Sequence, residues 1–158
     1  MKKLIIVLIA IAFMSATAFA GSTDTQTVYY EIDAINEISM GTDCTLTVDT
    51  ATAGSQPDAD SLFKPYNITT NETAGKKITA VLNSNMPSNV TLSLEMAAPA
   101  TGASAGVKYL TSTAQDLVTS IETVAESSIQ TTLSLSAAVA AGLPADGSRV
   151  ITYTLTDE

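Results

Sequence analysis

Apolar and polar residues alternate along most of this chain, and in its opening stretch the alternation outlasts an ordinary strand. In TVYYEIDAINEISM, Thr27 to Met40, the even positions are Val28, Tyr30, Ile32, Ala34, Asn36, Ile38 and Met40, nearly all apolar. The odd positions include Thr27, Glu31, Asp33, Glu37 and Ser39, with Tyr29 and Ile35 as apolar exceptions. A period of two is the signature of a half-buried strand. Fourteen extended residues reach about 46 Å at roughly 3.3 Å each, whereas strands usually run about five or six residues. Asn36 interrupts the apolar face, as at a bend or bulge. Two arrangements satisfy the pattern: a bent strand that stays in its own domain, or a first half that leaves it.

Beyond Met40, turn residues punctuate the chain at short intervals. Gly41-Thr42-Asp43 predicts a turn and Cys44 to Asp49 a short strand, with Cys44, Leu46 and Val48 sharing its inner face. Thr50 to Pro65, with Gly54, Pro57, Asp58, Asp60 and Pro65, reads as a long loop. Tyr66 to Thr70 and Lys77 to Leu82 read as strands joined by a hairpin through Asn71–Gly75. After the turn cluster Asn83–Asn89, Val90, Leu92, Leu94 and Met96 alternate cleanly with polar residues. Pro99 to Gly106 is a loop and Val107 to Thr111 a strand. Thr113 to Ser128 fits either helical spacing (Leu117, Ile121, Val124, Ala125) or two short strands, and the strand reading is preferred. Ile129 to Val139 alternates again, Gly142–Gly147 turns the chain, and Arg149 to Thr156 closes it with Ile151, Tyr153 and Leu155 on one face. Thr91–Leu94 with Val107–Thr111 echoes Thr132–Leu135 with Ile151–Leu155, as two similar hairpins would. Seven to nine such strands predict an all-β fold, a single antiparallel Greek-key, immunoglobulin-like sandwich.

The first twenty residues are set apart from this fold. Lys2 and Lys3 precede the apolar run Leu4–Met14, and Ala18-Phe19-Ala20 supplies small residues before Gly21. This is the pattern of a cleaved secretory leader over residues 1–20. Its apolar run is too short for a bilayer span of roughly twenty residues. The expected domain is therefore 21–158, secreted or at the cell surface, with no insertion of the mature chain into a membrane. Sixteen acidic residues face seven basic ones in the chain, a net charge of −9. Loss of Lys2 and Lys3 with the leader deepens this to −11, which disfavours nucleic acids and anionic membranes as partners. Threonine supplies 23 residues from Gly21 onward, a β-branched type suited to strands.

Little in the sequence suggests catalysis. There is no histidine, which removes Ser-His-Asp and Cys-His arrangements and the common zinc sites. Glu31, Asp33 and Glu37 could form a carboxylate pair, yet they occupy the polar face of an alternating segment. No catalytic residue and no cofactor is expected, so the chain reads as a non-enzyme. Asp58 and Asp60 offer two hard oxygens of the kind calcium prefers, without identifiable further ligands, and no metal is assigned. Cys44 is the single cysteine, so no internal disulfide is available, and a buried thiol is the expectation. Asn67, Asn71 and Asn89 each begin an Asn-x-Thr glycosylation sequon.

In its short secreted length, Thr/Ala-rich sandwich pattern, absence of Trp and His, and alternating N-terminal segment, the chain resembles subunits of fimbriae and other extracellular filaments. The resemblance is architectural, spans 21–158 and includes no diagnostic motif. In the families that assemble by donor-strand complementation, a subunit's N-terminal segment completes its neighbour's sheet by β-augmentation. The resemblance implies that residues 21–34 form a donor arm, with Val28, Tyr30, Ile32 and Ala34 at the subunit interface and copies of the same chain, or other surface proteins, as partners. A chaperone–usher subunit usually carries an internal disulfide, which one cysteine excludes, so that assembly route is not implied. The other reading is a non-polymerising adhesin-like or ligand-binding sandwich.

Overall fold

The computed structural model describes residues 22–144 and 146–158. The expected leader lies outside the described residues. The chain divides into two units, Met1–Ile32 and Asp33–Glu158. In the first, Ser22–Ile32 is exposed throughout and forms no strand. The second is an antiparallel β-sandwich.

Among the described residues nine strands build the sandwich: β1 (Asn36–Met40), β2 (Asp60–Thr70), β3 (Lys76–Leu82), β4 (Val90–Met96), β5 (Ala103–Ser104), β6 (Lys108–Tyr109), β7 (Gln115–Ile121), β8 (Val124–Ala137) and β9 (Ile151–Asp157). One sheet has the order β1-β2-β8-β4-β6, the other β5-β7-β3-β9, and every pairing is antiparallel. From β2 onward each connection passes from one sheet to the other. This is why alternation was so legible: each sheet has one dry face and one wet face. The core is made by Tyr66, Ile68, Ile78, Ala80, Leu82, Leu94, Met96, Leu117, Val118 and Ile121, all almost fully buried. Burying about 25 cal/mol for each Å² of apolar surface is what holds such a disulfide-free sandwich together.

Several expectations need correction. The opening strand begins only at Asn36, so the fourteen-residue alternation contains one five-residue strand. Asn36 starts β1 rather than bending it: its Oδ1 accepts from Thr70 Oγ1 at 2.8 Å and its amide donates to Glu72. Cys44–Asp49 is not a strand. The ladder stops after Gly41 N donates to Pro65 O, and farther on Thr47 N donates to the Asp60 carboxylate at 2.7 Å instead of a backbone carbonyl. Cys44 is exposed, not buried. The long loop ends earlier than expected, at Asp60, which places Pro65 inside β2. Pro65 is tolerated because its backbone points towards β1, as the Gly41 bond shows, so its missing N–H costs no bond to β8.

The segment Asn71–Gly75 is not a hairpin, because β2 and β3 belong to different sheets. The two echoing segment pairs also differ. β4 pairs with β6 within one sheet, whereas β8 and β9 lie in different sheets. In the ambiguous region the strand reading holds for Leu117 and Val118, inside β7. The second expected strand, Ile121 to Val124, instead spans the break between β7 and β8, and β8 runs on to Ala137. Bulges had broken the alternation: Ser120 and Ser128 adopt φ of 55° and 60°, and the β3–β7 and β2–β8 registers shift near them. Val124 and Glu126 face inward before Ser128, and Ile129, Thr131 and Leu133 after it. Such a one-residue slip exchanges the faces of a strand.

Candidate assembly site

Polar side chains fix the entrance to β1. Asn71, at the end of β2, accepts a hydrogen bond from Ile35 N through Oδ1 at 2.8 Å. Its Nδ2 donates to Asp33 O at 2.8 Å, and its backbone N donates to Ile35 O at 3.2 Å. With Asn36 opposite Thr70, these bonds prolong the β1–β2 pairing outward, so Asp33–Ile35 is held in line with β1. Ala34 sits between two anchored residues, on the domain side of the unit boundary. Val28, Tyr30 and Ile32 lie on the other side, exposed by 74%, 86% and 77%. Three large apolar side chains at alternate positions are thus largely in water. Tyr30, whose position aligned with the core face, is therefore not a core residue of this chain.

Sequence reading missed the role of Asn71, because the same residue carried a sequon. Asn67 and Asn89 are structurally engaged as well. Asn67 Nδ2 donates to Ser39 Oγ at 3.0 Å while its Oδ1 accepts from the bulged Ser128 N at 2.9 Å. Asn89, with φ of 62°, donates to Ala140 O at 3.2 Å. Asp58 stays in its loop, whereas Asp60 opens β2 and holds Thr47 N. Among the described residues no cluster of three or more metal-ligating side chains occurs. None of the described helices is long and apolar enough to cross a membrane.

The domain also has an unfinished margin. β1 and β9 end their respective sheets on the same side of the sandwich. Along β9, Ile151, Tyr153 and Leu155 turn inward against the core yet stay only half-buried, and so do Ile38 and Met40 on β1. No described strand pairs with the outer edge of β9, so one row of backbone donors and acceptors there is free for pairing. Burial pushes the Tyr153 hydroxyl up to about 12, with nearby Cys44 adding to the shift. Tyr153 is thus a neutral, mainly apolar surface at physiological pH.

A charged knot closes the end of the sandwich next to the arm's root. Lys76, 6% exposed, pairs with Glu72 at 2.8 Å and with Asp157 at the end of β9. Glu72 also accepts from Asn36, so the knot ties β1, β3 and β9. The hydrogen bonds from Lys76 and then Asn36 hold the Glu72 carboxyl below its usual range. The hydrogen bonds that Lys76 donates to Asp157 and then to Glu72 raise the lysine. A lowered acid stabilises the fold above its unfolded value and loses that contribution as pH falls through its folded value. A raised lysine contributes fully below its unfolded value and loses the contribution as pH rises through its folded one. Glu72→Gln is therefore expected to melt below the wild type at pH 7, the gap closing below the ordinary carboxylate value of 4.5. Paired thermal melts at pH 7 and pH 3 check this, and an undiminished gap at pH 3 would rule it out.

No protein-family model matches this sequence, and no curated protein matches it.

Proposed function

We propose that the protein is a structural subunit of an extracellular filament or cell-surface assembly, joined to its neighbour by strand exchange through Thr23–Ile32. The observation that carries this reading is the arm itself. Val28, Tyr30 and Ile32 alternate as core-facing strand residues do, yet all three are largely in water. Fully burying each would contribute about 1.5–3 kcal/mol, and main-chain pairing would add directional bonds. A sandwich whose core includes no disulfide gains further stability from any neighbour that binds only its folded state. On this reading the chain works outside the cell, its partners are copies of itself, and it carries out no chemistry.

Negative-stain microscopy of the purified protein is the direct test. The intact chain should form filaments, and deletion of Thr23–Ile32 should leave folded monomers. A synthetic peptide of that sequence should bind those monomers and raise their melting temperature. Filaments of undiminished length from the deleted chain would refute strand exchange by the arm. The alternative, a non-polymerising adhesin-like sandwich, is supported by no feature of comparable specificity. The groove at Asn85, Met86, Val90, Tyr109, Leu110 and Thr113 is open, and Tyr109, 67% exposed, is a single aromatic rather than a row.

A further inference from the structure

Resting on that filament reading, we propose that the acceptor is the free edge of β9, and that a second copy's arm pairs with it antiparallel: Ile32 opposite Ile151, Tyr30 opposite Tyr153, and Val28 opposite Leu155. Spacing, orientation and charge each point to this arrangement.

Spacing gives the faces. Ile151, Tyr153 and Leu155 are the inward residues of β9 and are half-buried. The arm offers three apolar residues at the same interval. Directly opposed residues on one face of a sheet are the pairs that stabilise it. Of the other edge strands, β1 is five residues long and offers two inward apolar residues, Ile38 and Met40, and β5 and β6 have two residues each.

Orientation separates a second copy from the chain's own arm. β9 runs towards the end of the sandwich that holds Asp157 and Lys76, and β1 runs away from that end, starting at Asn36. An arm laid back on its own β9 would therefore run parallel to it. It would also need the chain to reverse within Asp33–Ile35, the residues that Asn71 holds in line with β1. A second copy meets neither constraint, because its arm enters from the opposite end.

Charge then favours the antiparallel sense. In that register Glu31 faces Thr152 and Asp33 faces Val150, next to Arg149. The guanidinium of Arg149 donates to Asn85 O and Ser148 O, at 3.0 and 2.8 Å, and makes no ion pair among the described residues. The parallel register would instead bring Glu31 and Asp33 towards Asp157 and Glu158, carboxylate against carboxylate. Each copy has one arm and one such edge, so the contact joins two different surfaces, and copies related by a rotation that does not close form a filament.

Cysteine cross-linking tests the register in the full-length chain with Cys44→Ser. The outward positions Glu31, Tyr29, Thr152 and Thr154 are used, so no core contact is disturbed; opposed Cα atoms about 5 Å apart are within disulfide reach. Glu31→Cys with Thr152→Cys, and Tyr29→Cys with Thr154→Cys, should each give a ladder of covalent oligomers on mild oxidation. The exchanged combinations, Tyr29→Cys with Thr152→Cys and Glu31→Cys with Thr154→Cys, should not. Ladders from the exchanged combinations alone would overturn the antiparallel orientation. Disulfide-closed monomers would overturn the second copy as occupant. Filaments of the Cys44→Ser parent with no ladder from any pair would overturn the β9 edge while leaving the filament reading standing. Absence of filaments from the parent itself would remove that reading, and this proposal with it.

Discussion

Tyr66→Ala is expected to bring the domain close to unfolding, with a loss of about 3–5 kcal/mol. Tyr66 is completely buried in β2. Its ring fills the space between the two sheets beside Ile68 and Met96 in the core cluster, and alanine would leave a cavity that a strand-locked backbone cannot close. The hydroxyl adds a second element. It donates to Ala97 O at 2.6 Å, just beyond the end of β4, so one side chain ties β2 to the start of the next connection. Burial, and then the neighbouring Glu126, raise this hydroxyl well above an ordinary tyrosine, so it remains a protonated donor across the usable pH range. Natural domains have only about 5–15 kcal/mol of total stability. The melting temperature should fall by roughly 10–20 °C for a domain of this size. Tyr66→Phe separates the two contributions: it keeps the ring, leaves the Ala97 carbonyl without that bond, and should cost about 1–2 kcal/mol. Thermal melts of both variants decide the matter, and equal losses would mean that the hydroxyl, not the ring, dominates.

The sandwich was legible because its strands face water on one side. Where one strand ran undisturbed, as in Val90–Met96 or Ile151–Leu155, alternation located it to within a residue or two. Legibility failed where a single residue changed the phase. Ser128 shifts the inward set of β8 by one position, and Leu117 and Val118 are both buried beside the β3–β7 register shifts, which imitates helical spacing. Pro65 misled for a different reason. A proline signals a break, but here its ring side faces a margin where β1 has already ended. Sheet membership was not legible at all: nothing in Asn71–Gly75 distinguishes a hairpin from a crossing between sheets, since that choice is made by partners distant in sequence.

The arm was visible as a pattern but not as a boundary. Alternation runs from Thr27 to Met40 with Asn36 as its polar interruption, which signals a division near that residue but not that Asp33–Ile35 stays with the domain. What holds that segment is Asn71, thirty-six residues beyond Ile35, and only the folded chain brings the two together. The same division explains why Asn36, polar at an inward position, begins β1: its amide and carbonyl oxygen are both used, by Glu72 and Thr70. A residue that weakened the apolar pattern is thus a fixed point of the domain's own sheet.

Because that boundary isolates the arm from the core, arm substitutions should separate assembly from folding. The double variant Tyr30→Asp, Ile32→Asp is expected to abolish filament formation while leaving the melting temperature of the monomer unchanged. Both side chains are exposed in the single chain, by 86% and 77%, so removing them takes nothing from its core, and surface changes of this kind usually alter stability by no more than about 0.5 kcal/mol. In an occupied groove the same two side chains would contribute about 4 kcal/mol together. Their loss alone weakens each junction by roughly a thousandfold, since about 1.4 kcal/mol is a factor of ten. The new carboxylates make the contact worse still, because a charge buried in an apolar groove without a partner is strongly unfavourable. The polar face provides the control. Thr27→Asp adds one carboxylate to the arm without touching its apolar face, so filaments should persist. Sedimentation of assembled material, read beside monomer melts for each variant, gives the comparison. If the double variant assembles as well as the wild type, the arm is not the joint between subunits. If it fails to fold, Tyr30 and Ile32 belong to the core of their own domain after all.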